Sequence, residues 1–217
     1  MLEKIKLKHN TPEWLEFRKT GIGGSDAAAI VGISPFKTNI DVWEEKIGIK
    51  ESQDISDKPQ VEYGKKSEEL LLKLFALDFP QYEVKANKEI VYKRDFMFAS
   101  LDGELRDKDT GEDGIYEGKT TEIHNHNLLS KWTKQIPDYY YTQILHYLLV
   151  TGRQFACCKA QIKVIGQDDN LEIITRHYMF YRKDLVEDLK YLYLKEKQFW
   201  EYVEKKQRPP LILPKLD

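Results

Sequence analysis

The chain has 217 residues, 41 % apolar and 32 % charged, with 34 Lys and Arg against 36 Asp and Glu for a net charge of −2. That length supports one domain with a full core, and the composition excludes both a disordered chain and a protein that coats nucleic acid through a broad basic surface, so any contact with DNA must be local. The two cysteines, Cys157 and Cys158, are adjacent, which excludes an ordinary disulfide between them and any four-cysteine zinc or iron–sulfur site.

The start Met-Leu-Glu-Lys-Ile-Lys lacks the apolar stretch of a signal peptide, and no apolar run approaches membrane-spanning length, so a cytoplasmic protein with no membrane partner is expected. The first predicted helix opens at Thr11 with Pro12 at its first position, and Gly21-Ile-Gly-Gly-Ser25 then breaks the chain. A short helix over 26–31 stops at Gly32. Thr38 and Asp41 form a capping box that opens a helix to Ile47, with Gly48 at its end. The polar stretch 51–60 reads as a loop and 63–77 as a helix. Strands are expected at 89–93, 96–101 and 115–120, with turn residues over 107–114. Residues 121–136 read as loop or short helix. Pro137 opens a helix to Gly152, and 155–165 and 171–181 form a hairpin around 166–170. Leu185, Leu189, Leu192, Phe199 and Val203 fall at helical spacing in a closing helix, which ends at Arg208-Pro-Pro210. The order predicts an α/β domain in which helices flank a mixed central sheet. It is read as one domain over 1–217, with an N-terminal segment 1–50, a core 60–182 and a closing helix 184–207.

Glu117 and Lys119 are two apart on one predicted strand and so project to the same side. A carboxylate beside an ammonium suits phosphodiester hydrolysis: one holds a divalent cation, the other orients water or offsets charge on phosphate. Alone, Glu-x-Lys is very common and far more often a surface ion pair. Asp102 follows the apolar run Phe96-Met-Phe-Ala-Ser-Leu101 and precedes Gly103, which places a carboxylate at the mouth of a core strand. Mg²⁺ takes oxygen ligands and keeps several waters, so two or three carboxylates suffice. On a helical wheel Glu62, Lys65, Lys66, Glu69 and Lys73 share the polar face, whereas Glu68 aligns with Leu71, Leu72 and Phe75 at the margin of the buried face. A carboxylate there needs a cation, which selects Glu68 over Glu69. Gln143 and Tyr147 stand at i and i+4, both able to bond phosphate or water. Arg18 with Gly23-Gly24-Ser25 at a helix start would make an anion pocket, although a glycine turn with Ser25 as a simple cap fits the same residues.

Trp14-Leu-Glu-Phe-Arg18, Ile22-Gly-Gly-Ser-Asp-Ala27, Gly64-Lys-Lys-Ser-Glu68, Ala99-Ser-Leu-Asp-Gly103, Glu117-Gly-Lys119 and Gln143-Ile-Leu-His-Tyr147 occur in this order. Together they resemble the phage lambda exonuclease and YqaJ-like viral recombinase family over residues 14–147. The resemblance implies the PD-(D/E)XK nuclease fold and a 5′-to-3′ exonuclease acting on linear double-stranded DNA. Such an enzyme leaves 3′ single-stranded overhangs for phage-type recombination by strand annealing in a bacterial host. It implies Mg²⁺, with Mn²⁺ as a substitute, a single-strand annealing protein as partner, and a ring-shaped homotrimer in which Lys131 and Lys134 are candidates for the DNA-facing lining. By motif position Glu68, Asp102 and Glu117 are metal ligands, joined by the Gly118 carbonyl, Lys119 is the catalytic lysine and Gln143 an active-site glutamine. Arg18 and Ser25 match terminal-phosphate contacts, with Tyr147 a further DNA contact. Leu101 stands where the motif name has Pro, and Gly118 where the family usually carries an apolar residue. A repair or CRISPR-adaptation nuclease of the same fold, and a non-catalytic DNA-end-binding protein, are the alternatives.

Overall fold

In the computed structural model, residues 1–8, 11–51, 58–87, 89–124, 126–166 and 170–213 are described. The chain runs β1 (Glu3–Lys6), α1 (Pro12–Lys19), β2 (Ile22–Gly23), α2 (Gly24–Ile30), α3 (Asn39–Lys46), α4 (Pro59–Asp78), β3 (Tyr82–Ala86), β4 (Ile90–Arg94), β5 (Met97–Ser100), β6 (Gly103–Asp107), β7 (Asp113–Ile123), α5 (His126–Ser130), α6 (Asp138–Thr151), β8 (Phe155–Ile165), β9 (Leu171–Tyr181) and α7 (Val186–Glu204).

Local chemistry sets the helix ends. Thr11 Oγ1 accepts the Trp14 N–H at 3.2 Å, and Thr38 and Asp41 exchange side-chain-to-backbone bonds at 2.8 and 3.2 Å, the capping box expected at α3. Gly152 closes α6 at φ 73°, a conformation that penalises any side chain. Helix α4 begins at Pro59, inside the stretch expected as loop. Proline costs nothing at the first helical turn, because the N–H it lacks has no intrahelical partner there. Residues 52–57 and 167–169, within the predicted loop and hairpin turn, lie outside the described residues.

Two mixed sheets form rather than one. The larger is ordered β3-β6-β7-β8-β9, antiparallel except where β7 runs parallel to β8; the smaller is β1-β4-β5-β2. Ile115, Ala156, Cys158 and Ala160 of the larger sheet pack with Ile144, Leu145 and Leu148 of α6 and with Leu189 and Leu192 of α7. Its opposite face, with Leu105, Tyr116 and Cys157, packs on Leu72 and Phe75 of α4. Cys157 and Cys158 are therefore buried on opposite faces, both as free thiols. Tyr92, Met97 and Ala99 of the smaller sheet join the α6 cluster, so α6 packs against both sheets. The chain passes from β5 in one sheet to β6 in the other through Leu101 and Asp102.

Candidate active site

Asp102 owes its position to that crossing. Leu101 is buried in the core, and Gly103 opens β6 opposite Tyr116 of β7, which leaves Asp102 beside Glu117. The Gly118 N–H donates to Asp102 Oδ2 at 2.8 Å. Glu117 and Lys119 lie on the α6 side of β7, as their spacing predicts, and Lys119 Nζ donates to Glu117 Oε1 at 2.5 Å. Glu117 is 1 % exposed, and its second oxygen, Oε2, is buried with no hydrogen-bond partner among the described residues. Lys119 Nζ also stands 4.9 Å from the centroid of the Tyr140 ring, a cation–π contact from the first turn of α6.

Electrostatics follow from crowding. Burial, and then the neighbouring Asp102, push the Glu117 carboxyl up to about 8. Burial and Asp102 likewise raise Glu68 to about 7. For Lys119, burial alone would favour the neutral amine, but Glu117 and Asp102 outweigh it and hold the ammonium protonated. Glu68 is more exposed than its helical wheel suggests, yet its side chain faces Asp102 across an open cleft of about 260 Å³ also lined by Lys65, Asn87 and Ser100. Glu69, which pairs with Lys73 at 2.9 Å, also lines this cleft.

Among the described residues no three His, Cys, Asp or Glu side chains are grouped tightly enough to hold an ion by themselves. Mg²⁺ asks for less: one or two carboxylates with water and a main-chain oxygen. The buried Glu117 oxygen beside Asp102, unpartnered among the described residues, with two carboxyls whose proton affinity is raised by burial and then by Asp102, is a donor set that fits a divalent cation. Gly118 has room for a side chain, since the atoms nearest to where a β-carbon would stand are 3.4 Å or more away, so glycine is not imposed there by packing.

On α6, Gln143 Nε2 donates to the Tyr147 hydroxyl at 2.7 Å. Tyr147, expected as a DNA contact, is buried with 6 % exposure, and Glu117, Lys119 and Asp102 lie near enough for their charges to act on its hydroxyl. Its ring lies against Gly24, where any β-carbon would overlap it.

Arg18 and Ser25 are brought together, Arg18 donating to Ser25 Oγ at 3.4 Å. Ser25 is not the cap of α2. Gly23 occupies that position, and its N–H is held by Asp26 Oδ2 at 3.1 Å. Asp26 is fully buried beneath three cations: Lys37 at 2.8 Å, Lys46 at 2.7 Å and Arg18 at 3.7 Å. Burial alone would raise its pKa, but Lys37, Lys46 and Arg18 together hold it well below the usual carboxylate range. Sequence reasoning missed this node, although Asp26 three residues after Gly23 carries the spacing of a cap. It also missed Tyr140, for which helical position offered no signal. Lys131 and Lys134 are exposed between α5 and α6, outside the cluster just described.

A family model for the YqaJ-like viral recombinase domain matches residues 13–154. The uncharacterized protein YqaJ of Bacillus subtilis is 32 % identical over 155 residues, 66 % of this chain but 43 % of the relative, so the chain spans less than half of that protein's length. The alkaline exonuclease LHK-Exo of Laribacter hongkongensis superposes with a TM-score of 0.58 at 14 % identity, covering 91 % of this chain and 94 % of that one, and it has also been solved in complex with dAMP. A phage-related exonuclease of Haemophilus somnus superposes equally well, at 13 % identity over 86 % of this chain and 96 % of its own. These likenesses establish a shared fold, the PD-(D/E)XK-like fold of alkaline exonucleases. No helix among the described residues is long and apolar enough to cross a membrane. With the model match spanning α1 to the end of α6 and the fold shared across both sheets, the chain belongs to the YqaJ-like viral recombinase domain family.

Proposed function

We propose that the chain is a Mg²⁺-dependent exodeoxyribonuclease, with Mn²⁺ as a substitute, that degrades linear double-stranded DNA from 5′ ends. The observation that carries this reading is the Glu117 carboxylate, buried against Lys119 and Asp102 with one oxygen unpartnered among the described residues. Glu68, Asp102, Glu117 and the Gly118 carbonyl would hold the cation, which when bound supplies Lewis acidity toward phosphate oxygens and a more acidic water. Lys119 keeps its proton on Nζ and offsets charge on the phosphate under attack. Gln143, held by Tyr147, presents amide groups that orient water or a phosphate oxygen. Arg18 and Ser25 receive the terminal phosphate, with the guanidinium donating to its oxygens.

The family and the exonuclease relatives, one of them bound to dAMP, support DNA as substrate. On the same footing the product is a 3′ overhang handed to a single-strand annealing protein in phage-type recombination. The working form is a closed homotrimer, with Lys131 and Lys134 as candidates for its DNA-facing lining. Digestion of end-labelled linear duplex with and without Mg²⁺ tests the reading: metal-dependent loss from 5′ ends is expected, and a wild-type protein inert in both Mg²⁺ and Mn²⁺ overturns it.

A further inference from the structure

Phe36 is 78 % exposed, in the connection between α2 and α3. Single exposed apolar side chains are ordinary. This one differs in how firmly it is held out. Ser34, itself buried, accepts the Phe36 N–H at 3.2 Å and the Lys37 N–H at 3.4 Å. Lys37 then anchors the segment to buried Asp26 at 2.8 Å and to Glu45 at 3.0 Å. Pro35 fixes one further backbone angle. The residues on either side of Phe36 are pinned while its ring is kept in solvent.

The ring also has a specific neighbour. Phe36 meets Tyr139 edge-on, centroids 5.6 Å apart and planes at 82°, an arrangement that leaves ring surface uncovered. Tyr139 contacts Tyr140 at 4.4 Å, and Tyr140 lies under Lys119 Nζ at 4.9 Å. An unbroken aromatic path therefore leads from the lysine at the centre of the candidate site to an open ring at its rim. Its three short steps are commensurate with a few nucleotides, since a strand rises about 3.4 Å per nucleotide in a stacked duplex. Lys37 ties the Phe36 segment to the same Asp26 that lies under Arg18.

We propose that Phe36, backed by Tyr139, is a base-stacking platform that receives an unpaired nucleobase of the strand entering the site. This rests on the DNA-nuclease reading and adds a specificity element to it. A flat aromatic face takes any base through its π-surface, so the platform grips single-stranded nucleotides near the end without reading sequence.

The test uses a 5′-phosphorylated duplex with 2-aminopurine as the second nucleotide of the degraded strand, bound in EDTA, together with steady-state digestion in Mg²⁺. Wild type and Phe36→Trp should quench the 2-aminopurine fluorescence; Phe36→Ala should not. Phe36→Ala should raise KM about tenfold, within the range for loss of one stacked base, with kcat changed less than about threefold and an unchanged melting temperature. The penalty should vanish on a duplex with an abasic site at that position. Digestion by Phe36→Ala with a wild-type KM, or an equal penalty on the abasic duplex, overturns the platform while leaving the nuclease reading intact. A wild-type protein that neither binds nor digests the duplex removes both.

Discussion

The carboxylate of Asp102 and the backbone of Gly118 are bonded at 2.8 Å, which ties the crossing between the two sheets to the strand that carries Glu117 and Lys119. The contact gives Asp102 two separable duties: accepting one backbone N–H and supplying negative charge. Asp102→Asn retains an acceptor oxygen and loses the charge. It should keep its fold and lose cleavage by at least about 10²–10³-fold, the scale for removing one charge-stabilising group. Asp102→Ala loses both duties, and its unfolding free energy should fall by a further ~1 kcal/mol for the missing hydrogen bond. Urea unfolding beside end-label digestion separates the two. A cleaving Asp102→Asn would show that the charge is dispensable.

The raised carboxyls make a statement about acid and base. Burial, with Asp102 beside them, puts Glu117 at about 8 and Glu68 at about 7, above an ordinary value of 4.5. Between those limits the folded metal-free protein holds more protons than the unfolded chain, so its stability falls as pH rises through the window. The metal-free melting temperature should drop from about pH 5 to about pH 8. Mg²⁺ should raise it more at the upper end, because the cation competes with those protons. Calorimetry in EDTA and in Mg²⁺ reads both effects, and a Mg²⁺ shift that is the same at both pH values would contradict the coupling.

Arg18 reaches Ser25 at 3.4 Å while its charge is shared with buried Asp26 at 3.7 Å. On the proposed function, Arg18→Ala should slow digestion of 5′-phosphorylated duplex strongly and of 5′-hydroxyl duplex weakly, shrinking the ratio between the two. Ser25→Ala should do the same to a smaller degree without the ~1 kcal/mol stability cost of a lost cap, because Gly23 is the capping residue. Equal wild-type rates on the two ends would end the idea.

His146 and Glu196, fifty residues apart, form a buried pair that joins α6 to α7: Nδ1 faces Glu196 Oε1 at 2.8 Å and Nε2 faces the Phe98 carbonyl at 2.9 Å. Facing an ionised Glu196 and a carbonyl, both ring nitrogens carry protons. Burial alone would strip the ring, but Glu196 raises its pKa. The resulting stabilisation is complete below the ordinary value of 6.5 and is lost as pH rises through the raised one. Glu196→Leu should cost about 3–5 kcal/mol, as expected when one partner of a buried pair is removed. It should also abolish this alkaline loss, measured by urea unfolding across pH. A silent Glu196→Leu would mean the ring is neutral.

Much of this was legible in the sequence because it is local. Caps at Thr11 and Thr38, the 2-residue period that pairs Glu117 with Lys119, and the gap that makes 155–181 a hairpin are each encoded within a few residues. Strands β1, β3 and β6 were not legible: they are four or five residues long, rich in charge and partly exposed, and even the alternation of Tyr82, Val84 and Ala86 in β3 is too short to stand out. Missing β6 hid the second sheet and with it the reason Asp102 lies beside Glu117. Asp26 gathers cations eleven and twenty residues downstream, and His146 finds Glu196 across fifty, distances over which spacing carries no information.

The contact between Gly24 and the Tyr147 ring has a metric consequence. Gly24 is bonded to Ser25, of the pair proposed to receive a strand end, and the Tyr147 hydroxyl accepts from Gln143, of the proposed hydrolytic site. A glycine pressed against a buried ring is among the least compressible spacers a protein can build, since interiors pack as densely as organic crystals. On the proposed function, the interval between the pair that receives a strand end and the residues that cut its backbone is then a fixed length. Such a gauge would release fragments of one size whatever the base composition.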